Sequence, residues 1–472
     1  MKIPKWTKVK NHLSSLWTKI RGKVALYSRF TIRKVKAFIK NIPRWPKIKN
    51  HLIAYWAKTQ DGVALFLRFS IRKFKILFLP IQRLFGFNVI KDPSKFKTVD
   101  LSTYLTETDA KVAELPRSYR ELFKYTAEIE NELFVNASNN VLHITKAHEA
   151  WQEGLATNVA IIGERGSGKS TLITRFKTTF EEEPAELTID VVNSLWRIEQ
   201  LLSIFASSFG ATDVHKPETL IRFINNQKEG TIVYLEGLQN MFLRNINGFD
   251  ALEALWLIIS ETKDKVFWVV TCSRYAWDFL NKAEGIETHF THLLFTDVMT
   301  DEQLKTVIMN RHSKSVYRLD YDADEVTKRS RGYKKRIHKQ DELQKYLSDL
   351  YFHEMTDIAE GNASVAIILW LRSIKKVEGR TITVSPFRAI NLDGLEILTS
   401  EILFALAFLI LHDSLKVAEL ARVMNIGLSD SRVLLSRLKS RGVLLENNGL
   451  YTLNQLVLRQ VLRLLKKRNI IH

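Results

Sequence analysis

The chain has 472 residues, of which 46% are hydrophobic and only 9 are proline, so we expect most of it to fold, into roughly three domains. Its single cysteine, Cys272, excludes an internal disulfide framework and indicates a reducing compartment. The longest apolar run, residues 402–411, is too short to span a bilayer, and the N-terminus lacks the pattern of a signal peptide. We therefore expect a cytoplasmic protein.

The net charge of +19 is concentrated at the N-terminus. Residues 1–91 hold 22 Lys and Arg and one acid, Asp61, which gives +21 and leaves −2 for the other 381 residues. The segment that begins at Ile3 recurs at Ile42 without a gap, so this region is a duplicated unit. Each copy predicts a Pro-started helix with two tryptophans, a break near Gly22 or Asp61-Gly62, and a second basic helix.

Three interpretations of residues 1–91 stay open. Basic and aromatic side chains together can lie at an anionic membrane surface, and they can equally grip a nucleic-acid backbone. A third possibility is a solvated basic hairpin that docks on an acidic partner. The apolar stretch 63–69 favours the membrane, which would make the protein peripheral at the inner face of the membrane.

Residues 159–176 have the pattern of a phosphate-binding loop. The apolar residues 159–162 predict a buried parallel strand, and residues 172–176 predict the start of a helix. The loop between them is a Walker A motif made of Gly163, Glu164, Arg165, Gly166, Ser167, Gly168, Lys169, Ser170 and Thr171. Its glycines let backbone N–H groups surround an anion at the helix N-terminus, where Lys169 would reach the β- and γ-phosphates and Ser170 would bind Mg²⁺.

A second predicted strand, residues 231–236, ends in Glu236. An acid at this position is expected to hold Mg²⁺ or its bound water. Many hydrolysing relatives place a second acid next as the general base, and here that position is Gly237. Either Glu236 is the base and Ser170 alone holds the metal, or Glu236 holds the metal and another residue polarises water. We favour the second, with slow turnover.

A third predicted strand, residues 265–271, is followed by Ser273 and Arg274. A hydroxyl or guanidinium at the end of a strand beside the phosphate loop can contact the γ-phosphate and report its presence. The alternative for Arg274 is a salt bridge to a neighbouring helix.

The C-terminal residues predict a winged helix. Helices at 416–424 and 429–441, the second capped by Ser429, precede a hairpin at 443–453, and residues 456–472 predict an amphipathic helix that packs back on this domain. Val433 is assigned to the core of the domain. The residues that would contact DNA are Ser429, Arg432, Ser436, Arg437 and Lys439. The alternative is that this domain serves for dimerisation or for docking to protein.

The chain as a whole predicts an α/β fold, a P-loop NTPase parallel sheet with a helical lid and a winged helix. The predicted domains are basic helical repeats at 1–91, a helical connector at 92–136, the P-loop core at 137–300, a helical lid with a basic insertion at 301–394, and the winged helix at 395–472.

The phosphate loop, the strand that ends in Glu236, the strand before Arg274, and a helical lid in which residues 361–364 open a helix at 365–373 together resemble the AAA+/STAND class of P-loop ATPases. Within it the resemblance is to the bacterial and archaeal ATPases related to the origin-recognition and signal-transduction groups. The resemblance covers about residues 137–472 and implies ATP and Mg²⁺ as ligands, a lid that closes over the nucleotide, and nucleotide-dependent homo-oligomerisation. Lys169, Glu236 and Arg274 are the catalytic candidates. Gly237 and Ser364, which stands where some relatives carry a lid arginine, depart from the pattern and predict slow hydrolysis.

Three functions are consistent with this sequence. The favoured one is a regulatory ATPase switch that the basic N-terminus localises. The second is a DNA-loading or DNA-remodelling ATPase that uses the winged helix and the basic N-terminus. The third is an ATP-dependent scaffold without catalysis.

Overall fold

The structure is a computed structural model that describes residues 99–124, 138–182, 184–387, 390–391 and 399–471. The predictions for residues 1–91 lie outside these residues, as do positions 92–98 and 125–136 of the predicted connector. The described residues belong to one compact unit that begins at Phe96. None of the helices within them has the length and apolar character needed to cross a membrane.

The first described elements belong to the packing of the later domains. They are β1 (Val99–Asp100), α1 (Leu101–Glu114) and α2 (Arg117–Leu122). Leu101 lies in the core of the C-terminal domain, while Tyr104 and Tyr119 lie in the core of the lid. The hydroxyl of Tyr119 accepts a hydrogen bond from Trp370 Nε1 at 3.1 Å. This part of the predicted connector is therefore anchored to both domains.

A five-stranded parallel sheet forms the core domain. Its elements are α3 (Ser138–Gln152), β2 (Val159–Gly163), α4 (Lys169–Lys177), β3 (Glu186–Asp190), α5 (Ile198–Phe209), α6 (Pro217–Asn225), β4 (Thr231–Glu236), α7 (Asp250–Glu261), β5 (Val266–Ser273), α8 (Arg274–Glu284) and β6 (His292–Phe295). The strand order is β3-β4-β5-β2-β6. The strand that enters the phosphate loop is therefore internal, between β5 and β6.

The apolar runs form internal strands because helices cover both faces of the sheet. Alternate residues of β5 point to opposite faces: Trp268 and Val270 lie in one hydrophobic cluster, Phe267 and Val269 in the other. Trp268 and Phe267 are fully buried, and burial of each such side chain contributes roughly 1.5–3 kcal/mol. This packing fixes where the carboxyl ends of the strands lie.

The lid combines helices with a small sheet, whereas the sequence predicted helices alone. Its elements are α9 (Asp301–Ser313), β7 (Arg318–Tyr321), α10 (Glu325–Arg329), α11 (Arg331–Arg336), α12 (Gln340–Ala359), α13 (Ala363–Ser373), β8 (Ile374–Glu378) and β9 (Thr381–Val384). The sheet order is β7-β9-β8. These strands of four or five residues are too short to show a clear period in the sequence. Beyond them, β10 (Ile390–Asn391) pairs in parallel with β1.

The C-terminal domain has the element order of a winged helix. It consists of α14 (Ser400–Leu411), β11 (Ser414–Leu415), α15 (Val417–Met424), α16 (Leu428–Ser440), β12 (Leu444–Asn447), β13 (Leu450–Leu453) and α17 (Gln455–Lys467). The strands form an antiparallel sheet in the order β11-β13-β12. The predicted fold class, a P-loop NTPase sheet with a lid and a C-terminal winged helix, is confirmed.

Two predictions about α16 are wrong. The helix begins at Leu428 with Gly427 as its N-cap, so Ser429 is inside the first turn rather than at the cap. Val433 is 57% exposed and is not a core residue. Leu434, Leu435 and Leu438 supply the buried face instead, because the direction of packing depends on how α14 and α15 dock.

Candidate nucleotide-binding site

The phosphate loop connects β2 to α4 through two glycines in the left-handed region. Gly166 has φ +75° and Gly168, the N-cap of α4, has φ +97°. A Cβ atom at Gly166 would lie 2.4 Å from Cβ of Ser364. Glycine is therefore required both by the backbone conformation and by the close approach of the lid. The loop directs the N-terminus of α4, which favours anions, toward the space that the lid covers.

The side chain of Lys169 contacts the backbone of the phosphate loop. Its Nζ donates hydrogen bonds to the backbone oxygens of Gly163 and Glu164, each at 2.9 Å. Burial lowers the pKa of Lys169, and the negative charges of Asp413 and Glu236 oppose that effect. The ammonium group is thus partly desolvated beside two carboxylates, where an anion can draw it from its two carbonyl acceptors.

Ser170 and Glu236 meet as the sequence predicted. The Ser170 hydroxyl donates a short hydrogen bond to Oε2 of Glu236, across 66 positions of sequence. A hydroxyl and a carboxylate fit Mg²⁺, which takes oxygen ligands and binds through one or two protein groups together with substrate phosphates. No group of three or more His, Cys, Asp or Glu suited to a metal occurs in the described part of the chain. The role of this pair as metal ligands stays a prediction.

The position after Glu236 has no room for a side chain. Gly237 has φ +94°, and its N–H donates to the Thr271 hydroxyl at 3.2 Å. Another acid, Asp190 at the end of β3, pairs in register with Glu236. Burial raises the pKa of Asp190. Sequence reasoning missed this residue, although an acid at the end of a strand was the available signal.

The predicted sensor residues lie where β5, which pairs with both β4 and β2, ends and α8 begins. Ser273 caps α8, and its N–H donates to Gln239 Oε1 at 3.0 Å. Arg274 is half-exposed and pairs with Asp278 at 3.4 Å, with its guanidinium 5.2 Å from the centre of the Phe295 ring. The salt bridge lies within α8 itself, whereas the alternative stated for Arg274 was a salt bridge to a neighbouring helix. A γ-phosphate role for Arg274 stays a prediction.

The lid contacts the loop through the residues that open α13. Asn362 caps this helix, and its Nδ2 donates to the backbone oxygen of Arg165 at 3.0 Å. The N–H of Ser364 donates to the backbone oxygen of Gly166 at 3.4 Å. Arg372, further along the same helix, pairs with Asp109 of α1 at 2.6 Å, so α13 brings a serine and not an arginine to the loop.

Two contacts from the C-terminal domain to the loop were not predicted. Asp413, between α14 and β11, lies 3.7 Å from Arg165 Nη1. Arg459 of α17 forms a two-point ion pair with the carboxylate of Glu164. The sequence offers no signal for either, because an acid in a turn and an arginine in an amphipathic helix are both ordinary surface features.

The residues proposed for DNA contact all lie on the exposed side of the winged helix. Ser429, Arg432, Ser436, Arg437 and Lys439 are each exposed. Lys439 is paired with Glu446 of β12 at 2.7 Å. The exposed face of α16 therefore offers the cations of Arg432 and Arg437 beside the apolar Val433.

Solved structures with a similar fold are P-loop ATPases of the AAA+ class. The ORC2 protein of Aeropyrum pernix is 14% identical, covers 74% of this chain and 98% of its own, and has a TM-score of 0.37. Cdc6p of Pyrobaculum aerophilum is 12% identical, with 74% and 98% coverage and a TM-score of 0.36. RuvB of Thermotoga maritima is 14% identical, with 70% and 95% coverage and a TM-score of 0.33.

No protein-family model matches the chain, and no curated protein is significantly similar to it. Similarity at this level concerns the fold, and function depends on the residues of the site.

Proposed function

We propose that this chain binds ATP with Mg²⁺ and hydrolyses it slowly, as a regulatory switch. The observation that carries the proposal is the contact of Ser170 with Glu236 at the start of the helix that follows the phosphate loop. A glycine-rich turn that matched the motif by chance would not be expected to bring a hydroxyl and a carboxylate together next to a lysine.

Each residue of the site has a distinct task in this proposal. The N–H groups of the loop and the N-terminus of α4 bind the phosphates, and Lys169 moves from its carbonyl acceptors to the β- and γ-phosphates. Ser170 and Glu236 would hold the metal. Bound Mg²⁺ would neutralise charge on the phosphate oxygens.

Slow turnover follows from what surrounds these residues. Gly237 supplies no general base, and α13 presents Ser364 in place of an arginine. Asp190, which pairs in register with Glu236, is an acid of the sheet that could orient water. An arginine that stabilises the charge of the transition state raises the rate of phosphoryl transfer by a large factor. We therefore expect slow hydrolysis unless a neighbouring protomer of a nucleotide-dependent oligomer supplies such an arginine.

The decisive experiment compares nucleotide binding and phosphate release in the full chain. Wild type should bind ATP with Mg²⁺ and release phosphate slowly, whereas Lys169→Ala should do neither. Lys177→Ala is the matched control, because this lysine lies in the same helix and pairs with Glu186 at 2.7 Å. Binding without Lys169-dependent phosphate release would favour the scaffold. Absence of binding would exclude the proposal.

The second candidate is a DNA-loading or DNA-remodelling ATPase, favoured by the exposed cations of α16. A basic N-terminus that localises the protein, at a membrane or on nucleic acid, is a further part of the proposal. The full chain and residues 96–472 should be compared by sedimentation with anionic vesicles and by binding to duplex DNA. Binding to vesicles that is lost with residues 1–95 supports the membrane; binding to DNA alone, with a steep dependence on salt, supports nucleic acid.

A further inference from the structure

The C-terminal helix α17 reaches the phosphate loop through Arg459. Its Nη1 donates to Oε1 of Glu164 at 2.8 Å, and its Nη2 donates to Oε2 of the same carboxylate. The side chain of Arg459 is 11% exposed and that of Glu164 is 21% exposed. A two-point arginine–carboxylate contact with so little solvent access fixes the geometry of both groups.

A second acid joins this pair from the lid. Glu360 ends α12 in the left-handed conformation with φ +46°, and its Oε2 lies 3.6 Å from Arg459 Nη1. The hydroxyl of Tyr275, in α8, donates to Glu164 Oε1 at 2.8 Å. Arg459 therefore contacts the core domain at Glu164 and the lid at Glu360 while it belongs to the C-terminal domain.

The charges of this cluster are mutually stabilised. Burial opposes ionisation of Glu164, yet hydrogen bonds from Arg459 and Tyr275 hold the pKa of its carboxyl below the ordinary value. Burial likewise disfavours the charge of Arg459, but Glu164 and Glu360 raise its pKa. If one partner of a pair with little solvent access is removed, the other is left as an uncompensated charge.

Glu164 also belongs to the part of the loop that positions Lys169. Its backbone oxygen is one of the two acceptors of Lys169 Nζ. The next residue, Arg165, is held through its backbone oxygen by Asn362 of the lid. A residue that fixes Glu164 thus acts on the phosphate-binding lysine and on the same loop segment that the lid contacts.

We propose that Arg459 is a positioning residue of the nucleotide site: by joining Glu164 to Glu360 it ties the C-terminal domain and the lid to the phosphate loop and slows nucleotide exchange. The inference rests on the proposed binding of ATP at this loop. The contacts of Arg459 would connect the C-terminal domain physically to the nucleotide site. Any partner that moves α17 would therefore loosen the phosphate loop and the lid together.

The test measures the rate at which a fluorescent ADP analogue leaves the full chain in stopped flow. Arg459→Ala and Glu164→Gln should each raise the dissociation rate constant by about 10-fold, a typical allosteric coupling. Their combination should be no faster than either alone, because both remove one contact. Arg459→Lys, which keeps the charge and loses the two-point geometry, should be intermediate.

Arg463→Ala is the matched control. Arg463 lies one turn further along α17, is 67% exposed and contacts Glu360 alone in the described structure, so its loss should leave the rate within about 2-fold of wild type. Release at the wild-type rate from both Arg459→Ala and Glu164→Gln would overturn the inference while leaving ATP binding in place. If wild type binds no nucleotide, the proposed function fails and the inference with it. If Arg459→Ala does not fold, the dissociation rate of Glu164→Gln decides the test, because this substitution keeps the size of the side chain.

Discussion

A Cβ atom on Gly237 would lie 2.6 Å from the backbone oxygen of Val191. Val191 directly follows β3, and its N–H donates to the backbone oxygen of Glu236 at 2.9 Å. The end of the neighbouring strand thus closes the space in which a second acid would stand. With φ +94° at Gly237, the absence of a general base after Glu236 is enforced by the backbone as well as by the choice of residue.

We expect Gly237→Ala to destabilise the protein by about 2 kcal/mol or more, because it adds a clash to an unfavourable φ. Gly210→Ala is the matched control, since Gly210 has φ +71° with nothing within 4 Å of an added Cβ, and should cost only about 1 kcal/mol. Urea denaturation measures both. If both substitutions lower the free energy of unfolding by the same amount, the contact with Val191 adds no cost. Gly237→Glu should likewise destabilise and should not speed phosphate release.

Removal of either metal ligand should weaken ATP binding only when the metal is present. We expect Ser170→Ala and Glu236→Gln each to lower the affinity for ATP with Mg²⁺ by about 10-fold, with less than additive effects in the double variant because both act on one ion. When EDTA removes the metal, the two single variants, the double variant and wild type should all have the same affinity for ATP.

The control for these variants is Thr174→Ala, one turn further along α4, where the hydroxyl bonds to the Ser170 backbone oxygen at 3.0 Å. Its affinity should stay close to that of wild type. If Glu236→Gln changes neither ATP binding nor turnover, Glu236 is not the acid of the site.

His412 should make the stability of the protein sensitive to acid. Its ring is 1% exposed and lies 4.6 Å from the ring of Phe242, and burial together with the charge of Arg244 lowers its pKa to about 3. An unfolded histidine takes up its proton near pH 6.5. Between these values the unfolded state binds the extra proton, so stability falls as the pH drops below about 6.5, by up to about 1.4 kcal/mol per pH unit.

His412→Phe keeps an aromatic ring against Phe242 and removes the titrating group. We expect it to reduce the loss of unfolding free energy between pH 7 and pH 5 by about 2 kcal/mol, as measured by urea denaturation at both pH values. His143→Gln, at an exposed position of α3, should leave the loss unchanged. An unaltered pH dependence in His412→Phe would show that other groups govern acid stability.

If the winged helix binds DNA, the exposed cations of α16 should set its salt dependence. Arg432→Ala and Arg437→Ala should each weaken duplex binding and reduce the slope of log affinity against log salt by about 1. Lys439→Ala should have a smaller effect, because Glu446 already neutralises that lysine. Fluorescence anisotropy in a salt titration measures these slopes. Slopes equal to that of wild type would favour a protein-docking role for this domain.

The central site was predictable because its pattern is local. A strand, a glycine-rich turn and a helix follow one another within residues 159–177, and the acid at the end of β4 must reach the same edge because parallel strands align their carboxyl ends. The sequence thereby determined the P-loop fold and the meeting of Ser170 with Glu236. The sequence did not predict the small sheet of the lid, because its short strands show no strong hydrophobic period. It also misplaced the N-cap of α16, because the position of a cap depends on a single residue, here Gly427.

Only the tertiary structure decided which surfaces face the site. Arg459 and Glu164 are 295 positions apart, and in the sequence Arg459 is one of several basic residues on an amphipathic helix. Arg274, which the sequence predicts as a γ-phosphate sensor, pairs with Asp278 of its own helix in this structure. Which charged side chain meets a phosphate loop depends on how separate domains dock, and docking buries side chains whose local sequence is indistinguishable from that of solvated ones.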